Sequence, residues 1–316
     1  MRGLLFWDPE IANPVGGLVR KIGLDSDRLP MQFTKYHGLG NDYIVMNPAL
    51  IGRELTHAEI CLICHRNYGP GSDGILWGPL PAASGTFGLK IYNPDGSEAE
   101  KSGNGLRIFT RYLFDQGLVQ YEPFNVQTLG GTVSCCVKRE GGLIEVEMGR
   151  VSFDAKLIPV SGYDGEVLNQ TMILAGTEYR FCAATIGNPH CVLPLDDVTE
   201  ELARRLGPLI ENDGRFPNRT NVQFLKVLGR KDIQIEIWER GAGYTLASGS
   251  SSSAAAAVAH RLGHCDRDIT VHMPGGKLEI SIGPAFEIRM TGPVLKVYTG
   301  DIAEEAFSKP LATTAT

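Results

Sequence analysis

Ser102-Gly-Asn-Gly105 in the first half of the chain and Ser248-Gly-Ser-Ser251 in the second half are two versions of one sequence device. Each follows a strand-like segment and a polar loop, and each leads directly into an apolar, helix-like segment. The second of these helices is predicted to begin near Ser250, and its stretch 252–259 is small and apolar nearly all round, which is typical of a buried helix. The repeat therefore predicts two related halves, each with a central helix wrapped by a sheet.

The strand and helix patterns along the rest of the chain predict an α+β fold with two pseudo-symmetric halves, each a mixed or antiparallel sheet around its helix. We expect the first half at 31–147, with a returning strand at about 293–303, and the second half at 148–292. Residues 1–30 show no sustained period and are interpreted as an N-terminal extension, and 304–316 as a tail. The sheets of the two halves are expected to be separate.

The composition is that of a soluble protein and argues against several other classes. Of the 316 residues, 43% are hydrophobic, which is enough to build a core in each half. The formal net charge of −6 argues against a nucleic-acid partner, because nucleic-acid binders present a basic surface. No apolar run reaches the roughly 18 residues of a membrane helix, and no export signal is recognised. We therefore expect a cytoplasmic protein without a membrane partner.

Seven cysteines in a chain without a recognised export signal predict free thiols rather than disulfides. The stretch Cys61-Leu-Ile-Cys64-His65 matches the attachment pattern of c-type haem. That attachment needs export, and a helix with Ile60 and Ile63 on its apolar face explains the same residues. No second pair of ligands stands at the spacing of a zinc site, so we expect neither a cofactor nor a metal ion.

Each Ser-Gly turn also predicts a place where an anion can bind. The first backbone N–H groups of a helix have no intrahelical partner, and the helix dipole makes that end positive. Glycine allows a ligand to approach the backbone closely. A single turn of this kind is usually no more than a capped helix start, but two that face each other would hold one small carboxylate.

Polar residues at turn positions accompany these two turns. His190 follows the rigid turn Gly187-Asn-Pro189, and Glu239 with Arg240 leads into the second Ser-Gly turn. Arg240 can hold a carboxylate through its forked guanidinium, and Glu239 can accept an ammonium group. Each loop asparagine alone is more often a turn former, and His190 alone could equally be a structural histidine. Together they predict a ligand with several amino and carboxylate groups. The loop asparagines are Asn41, Asn93, Asn188 and Asn221.

At these residues the chain resembles the diaminopimelate epimerase family of cofactor-independent amino-acid racemases, over about 31–302. The resemblance implies two α+β halves with the site in the cleft between them. It also implies a small-molecule substrate, an amino acid with two amino-acid ends, and it leaves a homodimer as one possible assembly. The segments that carry it are 35–43, 93–97, 103–105, 187–191, 215–217, Asn221, 239–243, 274–276 and 290–292.

In that family two cysteines act from opposite sides of the substrate α-carbon, one as a thiolate base and the other as a thiol acid. The positions that match them here hold Ser102 and Ser248. The resemblance further implies that His190 and Glu239 neighbour these two catalytic positions, and that backbone N–H groups at the turns cradle the α-carboxylate. By the same matching, the substrate-binding residues are Asn41, Asn93, Gly103, Asn104, Asn188, Asn221, Glu239, Arg240, Gly249 and Ser250.

The two serines change the chemistry that the resemblance implies. A free cysteine has a pKa of roughly 8.5, which a helix N-terminus lowers, whereas a serine hydroxyl is far less acidic and works only beside a base. Removal of an α-proton by serine alone is expected to be very slow. We interpret the chain as a natural serine variant, which the serine-rich stretch 248–253 favours. An engineered double substitution and a homologue with another task remain alternatives.

Three functions are compatible with these residues. The first is an amino-acid epimerase of the diaminopimelate type, which inverts an α-carbon by two-sided proton transfer that the serines impair or alter. The second is an isomerase or dehydratase of the same superfamily with Glu239 as its single base. The third is a non-catalytic amino-acid-binding protein that keeps the carboxylate cradle and lacks the bases.

Overall fold

A computed structural model describes residues 31–83, 86–139 and 142–308 of the chain. The expected extension at 1–30 lies outside the described residues, as do residues 309–316 of the expected tail. In the first half the elements are β1 (Met31–Gly38), β2 (Asn41–Met46), α1 (Pro48–Ile51), α2 (His57–Cys64), β3 (Ile75–Leu80), β4 (Thr86–Tyr92), β5 (Glu98–Ala99), α3 (Gly103–Asp115), β6 (Phe124–Thr128), β7 (Gly131–Val137) and β8 (Ile144–Arg150).

The second half repeats this succession of strands and helices, and a 3-10 helix at Glu304–Phe307 follows it. Its elements are β9 (Gln170–Leu174), β10 (Thr177–Thr185), β11 (Pro189–Pro194), α4 (Glu200–Glu211), β12 (Asn221–Gly229), β13 (Asp232–Glu239), β14 (Gly243–Thr245), α5 (Gly249–Arg261), β15 (Asp268–Met273), β16 (Gly276–Ile282), β17 (Glu287–Gly292) and β18 (Leu295–Ile302).

The pairing pattern of the strands demonstrates the pseudo-symmetry. In the first half β1, β2, β3, β4, β6, β7 and β8 are neighbours in that order, joined by antiparallel, parallel, antiparallel, parallel, antiparallel and antiparallel pairings. In the second half β10, β11, β12, β13, β15, β16 and β17 follow the same series. The expected α+β fold with two related halves is therefore confirmed.

The last strand returns to the first half, and the two halves share one ladder. β18 follows β17 in the chain but pairs with β1, and β9 follows β8 but pairs with β10. β8 and β17 pair with each other in antiparallel register, with Val146 opposite Met290. All eighteen strands thus belong to one hydrogen-bonded sheet, and the expectation of two separate sheets was wrong. Pairing β8 with β17 satisfies backbone groups that would otherwise lie unpaired at two buried edges.

The two central helices pack inside this sheet. α3 buries most of its residues from Asn104 to Leu113, and α5 buries every residue from Ser251 to Ala259. Both helices contribute to one hydrophobic core. The small side chains of α5 allow the surrounding strands to approach it from all sides, as the sequence predicted. None of the described helices combines the length and apolar character needed to span a bilayer.

The exact division of the chain between the halves stays a proposal. We place the halves at 31–147 plus about 293–303 and at 148–292, with β18 as the strand that returns to β1. β8 runs three residues past the proposed boundary, because it extends to Arg150.

Candidate functional site

The two Ser-Gly turns are the N-terminal caps of the central helices. Ser102 caps α3 in an extended conformation, and its Oγ accepts a hydrogen bond from the backbone N–H of Gly105 at 3.0 Å. Ser248 caps α5 in the same way, and its Oγ accepts from the N–H of Ser251 at 3.4 Å. Serine is a preferred N-cap because its oxygen satisfies a backbone donor that the helix leaves free. Both helices begin a few residues earlier than their apolar segments alone indicate.

The two helix ends meet at the centre of the molecule. A Cβ placed on Gly249 would lie 3.7 Å from the Cα of Gly103, so the two turns are in contact distance of each other. Met290 of β17 lies against both glycines, and Met148 of β8 lies against Gly103. The free N–H groups and the positive dipole ends of two helices therefore lie side by side, which is an arrangement suited to one carboxylate.

Tyr43 of β2 adds a phenol to the first turn. Its hydroxyl lies 3.2 Å from the Oγ of Ser102, within hydrogen-bonding distance. Burial raises the pKa of Tyr43 to about 12, and the negative charges of Asp73 and Glu239 contribute to the rise. Asp73 belongs to the first half and Glu239 to the second, so carboxyl groups of both halves contribute to the electrostatic environment of this phenol.

Glu239 occupies the corresponding region beside the second turn. It is the last residue of β13 and is half-buried. Loss of solvation raises the pKa of its carboxyl, the hydroxyls of Ser248 and Thr245 lower it in part, and the charge of Asp73 raises it further. A carboxyl group with a raised pKa beside a capped helix end is suited to proton transfer.

A chain of hydrogen bonds fixes the asparagines of the first half. Asn41 Nδ2 donates to Asp73 Oδ2 at 2.8 Å, and Asn104 Nδ2 donates to Asn41 Oδ1 at 3.0 Å. Arg107 is completely buried, and its Nη2 donates to Asn104 Oδ1. Arg66 closes the other end by donating to Asp73 at 2.6 Å. Asn41 and Asn104 are therefore brought together at the first turn, in fixed orientations.

A shorter chain links the residues of the second half. The Nε2 of His190 and Asn188 Oδ1 are 3.0 Å apart, and Asn188 Nδ2 donates to Ser250 Oγ at 3.4 Å. His190 is completely buried, and this burial, with a smaller contribution from the charge of nearby Arg240, lowers its pKa to about 3. The imidazole is therefore neutral at physiological pH. Among the described residues no hydrogen bond joins His190 to Ser248.

A hydrogen bond joins Asn221 to the backbone of Arg240. Asn221 Nδ2 donates to the carbonyl of Pro189 at 2.9 Å, and its Oδ1 accepts from the backbone N–H of Arg240 at 3.0 Å. The exposed guanidinium of Arg240 donates to the carbonyl of Asn218 at 2.9 Å. Asn221 thus holds the start of the turn that carries Arg240.

Asn93 stands apart from the other predicted site residues in its hydrogen bonds. Its Nδ2 donates to the Oγ of Ser97 at 3.0 Å, within its own turn between β4 and β5. In the repeat, Asn93 occupies the place that Glu239 has in the second half, because each follows a residue (Tyr92 or Trp238) that pairs with the position four residues before the capping serine. The two halves therefore carry different chemistry at equivalent places.

Sequence reasoning missed Tyr43 as a site residue. The signal was present, because Gly40-Asn-Asp-Tyr43 and Gly187-Asn-Pro-His190 stand at the same place in the two repeats. Aligning these two segments puts Tyr43 opposite His190, which the sequence identifies as a candidate site residue. Arg107, Met148 and Met290 were missed as well, since an arginine in a helix and methionines in strands give no functional signal alone.

The fold is similar to that of a solved racemase and a solved epimerase. The probable proline racemase from Agrobacterium radiobacter, with bound carbonate, superposes with a TM-score of 0.64 at 15% identity, covering 88% of this chain and 94% of that one. The hydroxyproline epimerase from Agrobacterium vitis superposes with a TM-score of 0.62 at 15% identity, covering 87% and 92%. At such identity the likeness shows the fold alone.

The chain belongs to the diaminopimelate epimerase family. The family profile described as Diaminopimelate epimerase matches residues 33–153 and 182–297. The chain is 59% identical to Diaminopimelate epimerase 2 of Nostoc sp. strain PCC 7120 over 278 residues, which cover 88% of this chain and 98% of the relative. It is 38% identical to Diaminopimelate epimerase of Moorella thermoacetica over 285 residues, which cover 86% and 99%. The resemblance stated from the sequence motifs is confirmed.

Proposed function

We propose that this chain is an amino-acid epimerase of the diaminopimelate type, acting on an amino acid with two amino-acid ends. The observation that carries the proposal is the contact between the two helix ends at Gly103 and Gly249, with a serine at each. In this proposal the substrate α-carboxylate lies on backbone N–H groups at both turns. The α-carbon attached to it then lies between Ser102 and Ser248.

The proposed division of roles follows from the contacts at each turn. Ser102 and Ser248 are the groups closest to the α-carbon, and Glu239 supplies a base beside Ser248. His190 stays neutral and orients Asn188 and, through it, Ser250. The carboxylate cradle consists of Gly103, Asn104, Gly249 and Ser250.

The far end of the substrate is assigned to the remaining polar residues. Asn41 and Asn93 belong to the first half, and Asn188, Asn221 and Arg240 to the second. Arg240 has an exposed guanidinium that a distal carboxylate can reach, and Asn221 holds its turn in place. Amide oxygens can accept hydrogen bonds from the ammonium group of a second amino-acid end, and the guanidinium can bind its carboxylate.

In this proposal, proton transfer at the substrate α-carbon is slow. A serine hydroxyl is a far weaker acid than a thiol, so neither serine is a thiolate-like base at neutral pH. The positive helix ends stabilise negative charge, but they do not make up for the difference in acidity between a serine hydroxyl and a thiol. We infer that the protein binds its substrate well and turns it over slowly.

One other function has specific support. Glu239 is a half-buried carboxyl group with a raised pKa, and it fits the single base of an isomerase or dehydratase. The solved methylitaconate-delta-isomerase has this fold, with a TM-score of 0.59 at 10% identity, covering 92% of this chain and 99% of that one. A non-catalytic amino-acid binder is the third candidate, and it shares the carboxylate cradle without proton transfer.

One experiment separates the three candidates. The protein is incubated with diaminopimelate in deuterated water, binding is measured by calorimetry, and deuterium at the α-carbon is followed by NMR. Slow exchange with inversion supports the epimerase. Binding without any exchange supports the binder. Absence of binding, together with turnover of a small dicarboxylate, supports the single-base isomerase and contradicts the proposal.

A further inference from the structure

The contact between Tyr43 and Ser102 has no counterpart at the second turn. Tyr43 OH and Ser102 Oγ are 3.2 Å apart, and the same Oγ accepts from the N–H of Gly105 at 3.0 Å. With one lone pair of Ser102 engaged by that cap, the phenol can donate to the other, and the serine proton is left free to point away. In the second half the repeat places His190 at this position, and no hydrogen bond between described residues joins it to Ser248.

Each serine therefore has a different acid–base neighbour. Tyr43 is a phenol that is protonated at neutral pH, and Glu239 is a carboxyl group, which acts as a base in its carboxylate form. Tyr43 lies on β2 of the first half, and Glu239 lies at the end of β13 of the second half. An acid on one side and a base on the other is what inversion at a carbon atom requires.

We propose that Tyr43 supplies the proton that Ser102 passes to the substrate α-carbon, while Ser248 passes the departing α-proton to Glu239. This inference rests on the proposed epimerase function and names the groups that make it possible with serines. Tyr43 acts through Ser102 and does not itself touch the substrate.

The step balances as two coupled proton transfers. On one face the C–H bond breaks, its proton goes to Ser248 Oγ, and the hydroxyl proton of Ser248 goes to the Glu239 carboxylate. On the other face a C–H bond forms with the hydroxyl proton of Ser102, which is replaced by the phenolic proton of Tyr43. The α-carbon is inverted, Glu239 ends protonated and Tyr43 ends as phenolate. Proton exchange with water, or reaction of the opposite epimer, restores the starting form.

The acidities of the two groups agree with these directions. A phenol whose pKa is raised to about 12 is still a much stronger acid than a carbon acid, so protonation of a carbanion by it runs downhill. A carboxylate whose pKa is raised is a stronger base than an ordinary one. Burial raises the free energy of the phenolate, which agrees with the slow turnover proposed above.

The test compares Tyr43→Phe in two backgrounds, the serine protein and the Ser102→Cys/Ser248→Cys form. Phenylalanine keeps the ring and removes the hydroxyl, and Tyr112→Phe, a buried tyrosine further along α3, is the matched control. Inversion and α-deuteration of diaminopimelate are measured separately. In the serine protein we expect Tyr43→Phe to lower inversion at least about tenfold, while deuteration of the epimer whose α-proton faces Ser248 persists. In the cysteine background we expect a change of less than about threefold, since a thiol needs no relay.

The outcomes separate the relay from the function on which it rests. Equal losses in both backgrounds mean that Tyr43 only supports the structure, and they overturn the relay. The relay is also overturned if Tyr43→Phe leaves inversion unchanged in the serine protein. It is overturned as well if the serine protein shows no exchange while the cysteine form is active. A cysteine form that binds diaminopimelate without exchange overturns the epimerase function itself.

Discussion

His190 is a histidine whose environment removes its usual ability to titrate near neutral pH. Its pKa is lowered to about 3, against 6.5 for a free side chain, mainly because the ring is completely buried. Below pH 6.5 the unfolded chain therefore binds a proton that the folded chain refuses. The stability that depends on this residue is complete above pH 6.5 and falls as the pH is lowered toward 3.

We expect the imidazole of His190 to remain neutral from pH 5 to 8. The measurement is an NMR titration of the ring resonances of His190. We also expect His190→Gln to lose less stability between pH 7 and pH 4.5 than the natural protein does. A His190 resonance that titrates near 6.5 would show that the ring is not held as the structure describes.

Glu239 has the opposite relation to pH. Its folded-state pKa is raised above the usual value of 4.5 for a glutamate, so the folded chain holds a proton that the unfolded chain releases. The associated stability is complete below about 4.5 and is lost as the pH rises through the raised pKa.

Glu239→Gln is therefore expected to stabilise the protein at pH 8 relative to pH 4.5 and to abolish α-proton exchange. Thermal unfolding at the two pH values and exchange by NMR are the measurements, and Glu200→Gln, an exposed carboxylate on α4, is the control. If Glu239→Gln leaves exchange unchanged, the base lies elsewhere.

The residues that sequence could and could not identify differ in one physical respect. Ser102 and Ser248 stood out because a local Ser-Gly pattern before a helix repeats in both halves. Tyr43 did not, because its hydroxyl meets Ser102 across 59 residues of sequence. Asn221 was predicted to bind substrate, and the structure adds that its hydrogen bonds hold the Arg240 turn, which a loop asparagine does not signal locally.

At the scale of elements, the turn between β1 and β2 packs on the turn between β15 and β16. Gly275 N–H donates to the carbonyl of Leu246 at 2.8 Å, and a Cβ on Gly275 would lie 2.3 Å from the carbonyl oxygen of Leu39. Leu39 itself has a φ of 59°, in the left-handed region. This contact joins the two halves beside the site.

Gly275→Ala is expected to destabilise the protein by about 1–3 kcal/mol and to weaken substrate binding, because the new methyl group meets two backbone carbonyls. Gly214→Ala is the matched control, since its Cβ would meet open space at an ordinary φ. Urea unfolding and calorimetric binding measure both effects. Equal behaviour of the two variants would mean that the contact between the turns contributes nothing.

The start of each central helix was predictable from sequence to within a few residues, because serine caps and glycine turns act locally. The joining of all strands into one ladder was not predictable from the sequence. The pairing of β8 with β17 links residues about 140 positions apart, as Val146 opposite Met290 shows, and it depends on how two folded halves meet.

At the scale of the molecule, β18 is an edge strand whose side chains are exposed on both faces. Within the described part of the chain it pairs with β1, and its exposed residues include Leu295, Val297 and Tyr298. Two copies that pair along this edge about a twofold axis would satisfy its free backbone groups and cover these side chains. We therefore expect a homodimer in light-scattering measurements and a shift toward monomer in Tyr298→Asp. A monomeric natural protein at micromolar concentration would contradict this assembly.

The central claim is that the two helix ends form a site for inversion of an amino-acid α-carbon. Ser102→Cys with Ser248→Cys tests it most directly, by α-deuteration and inversion of diaminopimelate in deuterated water. We expect the double variant to exceed the serine protein by at least about a hundredfold. Each single variant should gain little, because inversion needs an acid and a base on opposite faces. A double variant that binds diaminopimelate tightly without α-proton exchange, or a serine protein that already turns over at about 10 per second, would contradict the account.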